Sequence, residues 1–303
     1  MAPRLVVIVG PTGAGKTRLS LMLAQATGGE IISADSQQVY RGMDIGTGKA
    51  TADEQAAHRH HLLDVVDPDE DMTAARFITL ADAAIEEISA RGKPIIVVGG
   101  TGLYVRALLL GLFEGPPASP ELRAELQQLG IEAIRAELER VDPIAASKIE
   151  KNDEKRMIRA LEVYRLTGET MSSHQARHDH KSLPRRFDAK LIGLQPERED
   201  LYKAIDARVD QMIEAGFEEE VTRLRAAGYL PPLRSQQAIG YAELHELATG
   251  AVERARAIEL IKRNSRHYAR RQLSWYRSDT TIEWVANPAA VDLGAVGRYL
   301  AGP

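Results

Sequence analysis

Cysteine is absent from the 303-residue sequence, which excludes disulfide bonds, thiolate catalysis and zinc sites built on cysteine. Long hydrophobic runs are absent as well, because no apolar stretch approaches the length that spans a membrane. The apolar run at the N-terminus is too short for a signal peptide and leads straight into a glycine-rich loop. These absences predict a soluble protein of the cytoplasm.

An overall positive charge is also missing. The formal net charge is −4, so the whole-chain balance does not indicate a nucleic-acid partner, and any site for a polyanion must be a local patch. Apolar residues make up 44% of the chain and charged residues 27%, which is typical of a globular protein with a substantial core. The length allows two domains, or one large domain with an insertion.

The most informative stretch that is present lies between an apolar run, residues 5–9, and a helical pattern. It fits the P-loop pattern G-x-x-x-x-G-K-[ST] in its required strand–loop–helix context. Its residues are Gly10, Pro11, Thr12, Gly13, Ala14, Gly15, Lys16 and Thr17. The bland interpretation is a glycine-rich turn that binds nothing.

The P-loop chemistry follows from the backbone. Glycines let consecutive N–H groups converge on one anion, and the N-terminus of the following helix adds unpaired donors. Lys16 would supply a full charge to the terminal phosphate oxygens, and the Thr17 hydroxyl is a ligand for Mg²⁺. The motif therefore predicts a diphosphate or triphosphate ligand without saying which one.

Short apolar runs alternate with helical patterns along the chain. The strand-like runs are residues 5–9, 30–36, 94–98, 189–194 and 281–285. This alternation predicts an α/β fold, a P-loop NTPase-like core with a doubly wound parallel sheet. A proline-rich change of composition at 115–120 precedes a helical stretch without strand-like runs. We therefore predict a core of residues 1–118 and 189–303 with a mainly helical insertion domain at 119–188.

Two polar residues follow strands of the predicted sheet. Asp35 lies at the end of the run 30–36, and Thr101 follows the run 94–98. Ligands of open α/β sheets bind beyond the carboxyl ends of the strands, so both residues would face the P-loop. Asp35 would ligate a metal, act as a general base or cap the next turn, and the residues alone leave these three roles open.

Three histidines, His58, His60 and His61, lie close together in the sequence. A metal site is one interpretation of such a cluster. The default is a packed or hydrogen-bonded role, because Asp64 is the single companion ligand with helpful spacing.

Positive charge is concentrated in two helical patterns. Lys155, Arg156 and Arg159 fall on one side of a helix in the predicted insertion, and residues 254–277 hold eight Lys or Arg against one acidic residue, Glu259. The first pattern is either a solvated basic face or a contact for a phosphate backbone. The local excess in 254–277 suits a polyphosphate ligand, an RNA backbone, or both. An amide-rich turn at 235–241 suits hydrogen bonding to base edges, although exposed glutamine is usually only solvated.

A motor or switch NTPase is disfavoured. Such proteins usually have an apolar strand ending in Asp, which holds Mg²⁺ through water. Here the run 95–98 ends in Gly-Gly-Thr, and the guanine signature Asn-Lys-x-Asp is not found. Transfer of a group from a small diphosphate or triphosphate is therefore favoured over steady hydrolysis.

With these features together, the sequence resembles the tRNA dimethylallyltransferases, which prenylate N6 of adenosine 37 beside the anticodon. The matching blocks follow the family order over nearly the whole chain and are residues 10–17, 32–40, 42–47, 98–104, 152–153 with 156–164, 237–241 and 270–275. The P-loop block is generic, whereas the Asp-Ser, Gly-Gly-Thr-Gly-Leu-Tyr and Gln-Ala-Ile-Gly-Tyr blocks are specific in combination. Eukaryotic members carry an additional zinc finger that is missing here, so the resemblance is to bacterial members.

The resemblance implies transfer of a dimethylallyl group from dimethylallyl diphosphate to tRNAs that read U-initial codons. The P-loop would hold the diphosphate, with Lys16, Thr17 and Mg²⁺ taking up charge as the C–O bond breaks. Arginines of the segment 254–277 would add to this clamp, and Thr101 would hydrogen-bond the bridging oxygen. Asp35 would take the proton of N6 as the amine attacks.

The resemblance also implies an interface for the anticodon stem-loop of tRNA. The contacts it implies are Asp35, Ser36, Gln37, Gln38, Thr101, Arg123, Lys155, Arg156, Arg159, Gln237, Ala238, Ile239, Gly240 and Tyr241. We expect a monomer that does not bind membranes. Two alternatives stay open: an enzyme that prenylates free AMP, ADP or ATP, and a regulatory P-loop NTPase.

Overall fold

The computed structural model describes residues 3–113, 115–178 and 183–302, and within them six strands pair in one parallel sheet. The strands are β1 (Arg4–Val9), β2 (Glu30–Ser33), β3 (His60–His61), β4 (Ile95–Val98), β5 (Asp188–Leu194) and β6 (Glu283–Val285). Their order across the sheet is β3-β2-β4-β1-β5-β6. Leu5 of the central strand pairs with Ile95 on one side and Ala189 on the other. The predicted α/β fold with a parallel sheet is confirmed.

Helices connect or follow these strands along the chain, and all of those named here except α2 have buried residues. Those that accompany the strands are α1 (Lys16–Thr27), α2 (Ala52–Ala57), α3 (Ala74–Ala90), α4 (Gly102–Leu110), α10 (Arg198–Glu214), α11 (Phe217–Ala226), α12 (Tyr241–Ala248), α13 (Arg254–Tyr276) and α14 (Leu293–Ala301). Leu5 to Val9 of β1 are completely buried, as expected for a central parallel strand covered on both faces. Among the described residues, no helix combines the length and apolar composition needed to cross a membrane.

The chain divides into two compact units. The first comprises Met1–Leu109 and Arg185–Pro303, and the second comprises Leu110–Pro184. The second unit contains α5 (Pro120–Leu129), α6 (Ile131–Val141), α7 (Pro143–Lys148), α8 (Glu154–Thr167) and α9 (Met171–Arg177). It starts before residue 119, where the sequence predicted the insertion, because Phe113 already packs against its core. Residues 179–182 of the predicted insertion lie outside the described residues.

The observed bounds of the strands and helices differ in places from those that the sequence predicts. The run 30–36 forms a strand only to Ser33, so Asp35 stands in the turn beyond the strand. Helix α3 begins after Thr73, whose side chain accepts a hydrogen bond from the Arg76 N–H. The short elements β3, α2, α11 and α14 were not predicted. The strand β3, for example, has only two residues and no apolar run to announce it.

Candidate active site

A cavity of about 420 Å³ lies in the first unit at the carboxyl edge of the sheet. The P-loop follows β1, the segment 35–38 follows β2, and Gly99 follows β4, so three strands deliver their loops to it. Helices α10 and α13 supply much of the remaining wall. The site therefore stands where open parallel sheets bind ligands.

Some residues of the P-loop line the cavity and others are buried. Those on the wall are Thr12, Gly13, Gly15, Lys16 and Thr17. Gly10, Pro11 and Ala14 of the same loop are buried. The N–H of Ala14 donates to the Pro11 carbonyl at 3.3 Å, which closes the turn. The predicted phosphate-binding stretch thus presents its charged and hydroxyl side chains to one space.

Lys16 is held against the loop it belongs to. Its Nζ donates to the carbonyl oxygen of Pro11 at 2.8 Å. Burial lowers the pKa of Lys16 to about 8, although the nearby Asp35 carboxylate acts in the opposite direction. This value is still above neutral pH, so the ammonium group carries its charge for an anionic ligand.

Asp35 lines the same cavity and also organises its own turn. Its Oδ1 accepts hydrogen bonds from the N–H groups of Gln37 at 2.8 Å and Gln38 at 3.4 Å. The capping role left open by the sequence is therefore present. It does not exclude the role of a base, because a carboxylate has a second oxygen and further acceptor capacity.

The side-chain amides of Gln37 and Gln38, close to Asp35, differ in their hydrogen bonding. The Gln38 amide is engaged on both sides, since it accepts from Ser33 Oγ at 2.9 Å and donates to the Gly48 carbonyl at 3.2 Å. Gln37 also lines the cavity, and its buried Oε1 has no hydrogen-bond partner among the described residues. An unpaired buried acceptor is costly, so Gln37 is suited to receive a donor from a ligand.

Thr101 lies beside the site rather than on its wall, since it is not among the cavity-lining residues. Its Oγ1 accepts from the Ser36 N–H at 3.0 Å and approaches Ser36 Oγ at 3.3 Å. In this arrangement Thr101 supports Ser36, which does line the cavity. The hydrogen bond to a leaving-group oxygen stays a prediction.

Arg208 is a cavity residue that the sequence reasoning missed. It extends from α10, and burial lowers its pKa while the Asp35 carboxylate opposes this shift. A guanidinium remains charged in proteins, so Arg208 and Lys16 put two cations in one cavity. A signal did exist, because Arg208 falls seven residues after the buried Leu201 and therefore on the apolar face of an amphipathic helix.

Part of the positive charge of the basic helix α13 is paired with acidic residues of neighbouring helices. Lys262 pairs with Asp210, Arg266 with Asp206 and Arg254 with Glu218. Of the arginines predicted to clamp the diphosphate, Arg271 lines the cavity. Arg271 is therefore the arginine of this helix that already borders the cavity, whereas Arg254 and Arg266 pair with acidic residues of α11 and α10. The clamp on the diphosphate stays a prediction.

Two neutral residues of α13 also shape the site. Gln272 accepts from the Thr12 N–H at 2.8 Å and donates to the Gly100 carbonyl at 3.0 Å, which ties the P-loop to the loop after β4. A Cβ at Gly100 would lie 2.1 Å from Gln272 Nε2, so this close approach explains the glycine. Burial and the Asp35 carboxylate raise the pKa of Tyr268 to about 12, and its phenol stays neutral on the cavity wall.

The amide-rich turn at 235–241 splits in the same way as the P-loop. Gln237, Ala238, Ile239 and Tyr241 line the cavity, whereas Gly240 is buried and does not. Tyr241 has no solvent-exposed surface. The Tyr241 hydroxyl donates to Glu220 Oε1 at 2.6 Å. The Tyr241 hydroxyl therefore has a partner inside the fold although the residue borders the cavity, and its predicted contact with RNA stays a prediction.

A buried polar network holds this turn in place. The Arg225 guanidinium donates to His245 Nδ1 at 2.8 Å, so the His245 proton must lie on Nε2, which faces Gln236 Oε1 at 2.9 Å. The Ser235 hydroxyl continues the network by donating to the Pro68 carbonyl at 2.6 Å. Burial and the adjacent Arg225 lower the pKa of His245, so the ring is neutral in the folded protein.

We expect this histidine to destabilise the fold in acid. Its folded-state pKa lies below its unfolded value, so the unfolded chain binds more protons, and stability decreases as pH falls below about 6.5. Urea unfolding between pH 7.5 and 5.5 measures the slope. His245→Gln should show a shallower decrease than the wild type. Equal slopes in the two proteins would contradict this assignment.

The second unit holds the other predicted RNA contacts. Arg123 and Arg159 both bind Glu162, whose side chain is fully buried, with Arg123 Nε at 2.8 Å and Arg159 Nη1 at 2.5 Å. Burial opposes ionisation of Glu162, but the hydrogen bonds from Arg123 and Arg159 outweigh it and lower the pKa. Lys155 and Arg156 are exposed, and Arg156 pairs with Asp153 at 3.0 Å. Of these four residues, Arg123 and Arg159 pair with a buried carboxylate and Lys155 and Arg156 are exposed, and their contacts with RNA stay predictions.

The histidine cluster has ordinary hydrogen-bond partners. His60 Nδ1 lies 2.7 Å from the carbonyl oxygen of His58, and His61 Nε2 lies 2.7 Å from Glu30 Oε2. Glu30 is also gripped by Arg91, which helps to lower its pKa to about 2. Within the described ranges, no group of three or more histidine and acidic side chains is arranged to hold a metal ion.

The fold and the site define an α/β protein with a P-loop, in which one cavity is lined by Lys16, Arg208 and the Asp35 carboxylate. Residues 38–279 match the model of the IPP transferase family. The chain belongs to this family, and the resemblance found in the sequence is confirmed.

Relatives and solved structures agree along the whole chain. The tRNA dimethylallyltransferase of Geobacter sulfurreducens is 46% identical over 293 residues, 95% of this chain and 94% of the relative. That of Geobacillus kaustophilus is 45% identical over 311 residues, 100% of this chain and 98% of the relative. The crystal structure of a tRNA isopentenylpyrophosphate transferase from Bacillus halodurans has a TM-score of 0.72 at 41% identity, covering 98% of this chain and 95% of that one. A eukaryotic dimethylallyltransferase described as acting on tRNA has a TM-score of 0.81 at 31% identity, covering 97% and 75%.

Proposed function

We propose that this protein is a tRNA dimethylallyltransferase that moves a dimethylallyl group from dimethylallyl diphosphate to N6 of adenosine 37. The observation that carries the proposal is one cavity containing the P-loop, the Asp35 carboxylate and the Arg208 guanidinium. Membership of the family supports tRNA as the acceptor rather than a free nucleotide. The set of tRNAs, those that read U-initial codons, is part of the proposal.

The leaving group is the first requirement of this reaction. As N6 attacks C1 of the dimethylallyl group, the C1–O bond breaks and its electron pair departs with the diphosphate. Lys16 and Arg208 lie in the cavity with the P-loop amides and would stabilise this negative charge as it develops. Such groups act at full strength because they are already in place and partly removed from water.

The acceptor is the second requirement. The lone pair of N6 is delocalised into the adenine ring, so the amine needs a base to take its proton as the new bond forms. Asp35 would accept that proton, and its position on the wall shared with Lys16 supports this role. Gln37, with its unpaired acceptor oxygen, would receive a hydrogen bond from the extruded base.

A magnesium ion belongs to the proposal because the donors fit it. Mg²⁺ prefers oxygen ligands and is commonly bound by one or two protein oxygens together with substrate phosphates and water. The Thr17 hydroxyl and the Asp35 carboxylate, both on the cavity wall, are oxygen donors of this kind, and we propose Thr17 as the protein ligand. When bound, the ion would neutralise charge on the diphosphate.

The direct test is incubation with dimethylallyl diphosphate, Mg²⁺ and an unmodified tRNA that carries adenosine at position 37. Mass spectrometry of the RNA should show the gain of one dimethylallyl group in place of one hydrogen. The same tRNA with guanosine at position 37 is the control and should gain nothing. A protein that modifies AMP as fast as tRNA, or leaves the tRNA unchanged, would refute the proposal.

Exposed basic residues of α8 offer a test of RNA binding. Arg156 has a side chain that is 70% exposed, so Arg156→Ala removes a charge without opening the core. We expect weaker tRNA binding and a decrease of about one in the slope of log K against log salt. Titrations at several salt concentrations measure this slope, with Arg140→Ala on α6 as the control. An unchanged slope for Arg156→Ala would show that this face is merely solvated.

A further inference from the structure

Three consecutive backbone N–H groups in the loop after Tyr40 converge on one internal carboxylate. The amides of Asp44 and Ile45 donate to Glu220 Oε2 at 2.9 and 2.8 Å, and the amide of Gly46 donates to Oε1 at 3.1 Å. The Tyr241 hydroxyl adds a fourth donor at 2.6 Å. Converging amides of this kind form an anion-binding nest, and here the anion is a side chain of the protein itself.

The carboxylate of Glu220 depends on these donors. The residue is only 1% exposed, and among the described residues no lysine, arginine or histidine forms a salt bridge with it. Burying a charge is costly unless it is hydrogen-bonded, so the nest and the charge are mutually required. Hydrogen bonds to an ionised acceptor are also stronger than neutral ones, which fixes the loop firmly on α11.

Close packing against α11 also restricts the position of this loop. A Cβ at Gly46 would lie 2.1 Å from the Phe217 ring, so the backbone already touches the first residue of α11. The Phe217 ring in turn meets the edge of Tyr241, with ring centroids 4.9 Å apart. The glycine therefore lets the amides approach closely enough to reach Glu220.

The loop carries parts of the active site beyond the nest. Gly46 and Thr47 line the cavity, and the carbonyls of Thr47 and Gly48 accept from the Gln38 amide at 3.4 and 3.2 Å. The Gln38 N–H in turn donates to Asp35 Oδ1 at 3.4 Å. A continuous set of hydrogen bonds thus connects Glu220 with the turn of the carboxylate proposed as the base.

The same loop also contacts Arg208, one of the cations that line the cavity. The Arg208 guanidinium lies directly over Gly48, because a Cβ there would fall 1.7 Å from Arg208 Nη2. A displacement of the loop would therefore move the surface on which this guanidinium rests. Both charges used in the proposed transfer, the base and one of the cations, have the loop as a neighbour.

We infer that Glu220 is a positioning residue for the transfer reaction. Its carboxylate, held in the amide nest of residues 44–46, fixes the loop that aligns Asp35 through Gln38 and supports Arg208 through Gly48. Glu220 does not line the cavity, so it acts through these neighbours. This role rests on the proposed function, because alignment is expressed as a rate of group transfer.

The test is Glu220→Gln, which preserves size but places an amide NH₂ where two of the donors need an acceptor. Since small misplacements of reacting groups cost up to about a hundredfold in rate, we expect kcat to fall about ten- to a hundredfold while KM for tRNA is unchanged. Glu219→Gln changes an exposed neighbour by the same charge and should keep the wild-type kcat. Thermal unfolding of each variant reports whether the fold is retained.

The outcomes separate alignment from simple stability. A folded Glu220→Gln with wild-type kcat would overturn the inference, and so would a lower unfolding temperature with unchanged kcat per folded molecule. If Glu220→Gln does not fold, Tyr241→Phe decides, since it removes one donor and keeps the ring. A lower kcat with unchanged KM for tRNA supports the inference, and an unchanged kcat overturns it.

The same experiment distinguishes this inference from the proposed function. Wild-type transfer to tRNA together with an unaffected Glu220→Gln would remove the positioning role and leave the proposed function intact. Absence of transfer by the wild type would overturn both, because no reaction would remain to be aligned.

Discussion

Asp35→Ala should reduce the rate of dimethylallyl transfer about a thousandfold, within the range that general bases contribute. The reason is that N6 of adenine is a weak nucleophile and Asp35 is a carboxylate on the cavity wall beside the P-loop. Binding of the diphosphate should persist or become tighter, because the substitution removes a negative charge from a space that also receives an anion. Single-turnover rates, together with equilibrium binding of dimethylallyl diphosphate, measure the two effects.

Two variants make the Asp35 result interpretable. Asp35→Asn keeps an acceptor for the Gln37 and Gln38 amides, so it preserves the turn and should still lose the rate. Asp53→Ala removes an exposed carboxylate from α2 and should have no effect. If Asp35→Asn retained nearly the wild-type rate, Asp35 would be a capping residue and the base would be elsewhere.

Arg208→Ala should lower the rate about a hundred- to a thousandfold, the usual effect of removing a preorganised charge from a transition state. The guanidinium shares the cavity with Lys16 and is partly buried, and this burial lowers its pKa. Arg208→Lys should recover only part of the rate, because an ammonium group lacks the planar fork of donors. Steady-state kcat and KM for dimethylallyl diphosphate measure the loss.

The same helix supplies the matched control for Arg208. Arg198 is exposed at the start of α10, with its guanidinium 5.3 Å from the Tyr202 ring. Arg198→Ala should leave kcat unchanged. A loss in Arg208→Ala confined to tRNA affinity, with kcat and inhibition by free diphosphate unchanged, would assign this arginine to the RNA instead of the leaving group.

Features written in consecutive residues were predictable. The P-loop is formed by consecutive residues, so the pattern of Gly10 to Thr17 is recognisable without knowing which other segments contact it. Asp35 was found for a related reason, since the rule that ligands bind beyond strand ends converts a strand boundary into a position. The order of the family blocks then identified the family, which the relatives confirm.

Features built by contact between distant segments were not predictable. In the sequence, nothing distinguishes Arg123 and Arg159 from Arg156 as candidate RNA contacts. The fold shows that the buried Glu162 binds both Arg123 and Arg159. Tyr241 belongs to a specific motif, and only the fold shows its hydroxyl on Glu220, 21 residues away. The helix α13 reads as a uniform basic surface until Asp206 and Asp210 of α10 are placed beside it.

Local residue patterns were enough to predict the parallel α/β core, the P-loop, the position of an acidic residue beyond β2 and the family. Which charged side chains line the cavity, and which form ion pairs elsewhere, became visible only in the folded chain. The fold alone brought Arg208 over Gly48 and closed the nest around Glu220. This difference arises because the electrostatic role of a charged side chain depends on its nearest partners and its burial, and these are set by segments far apart in the chain.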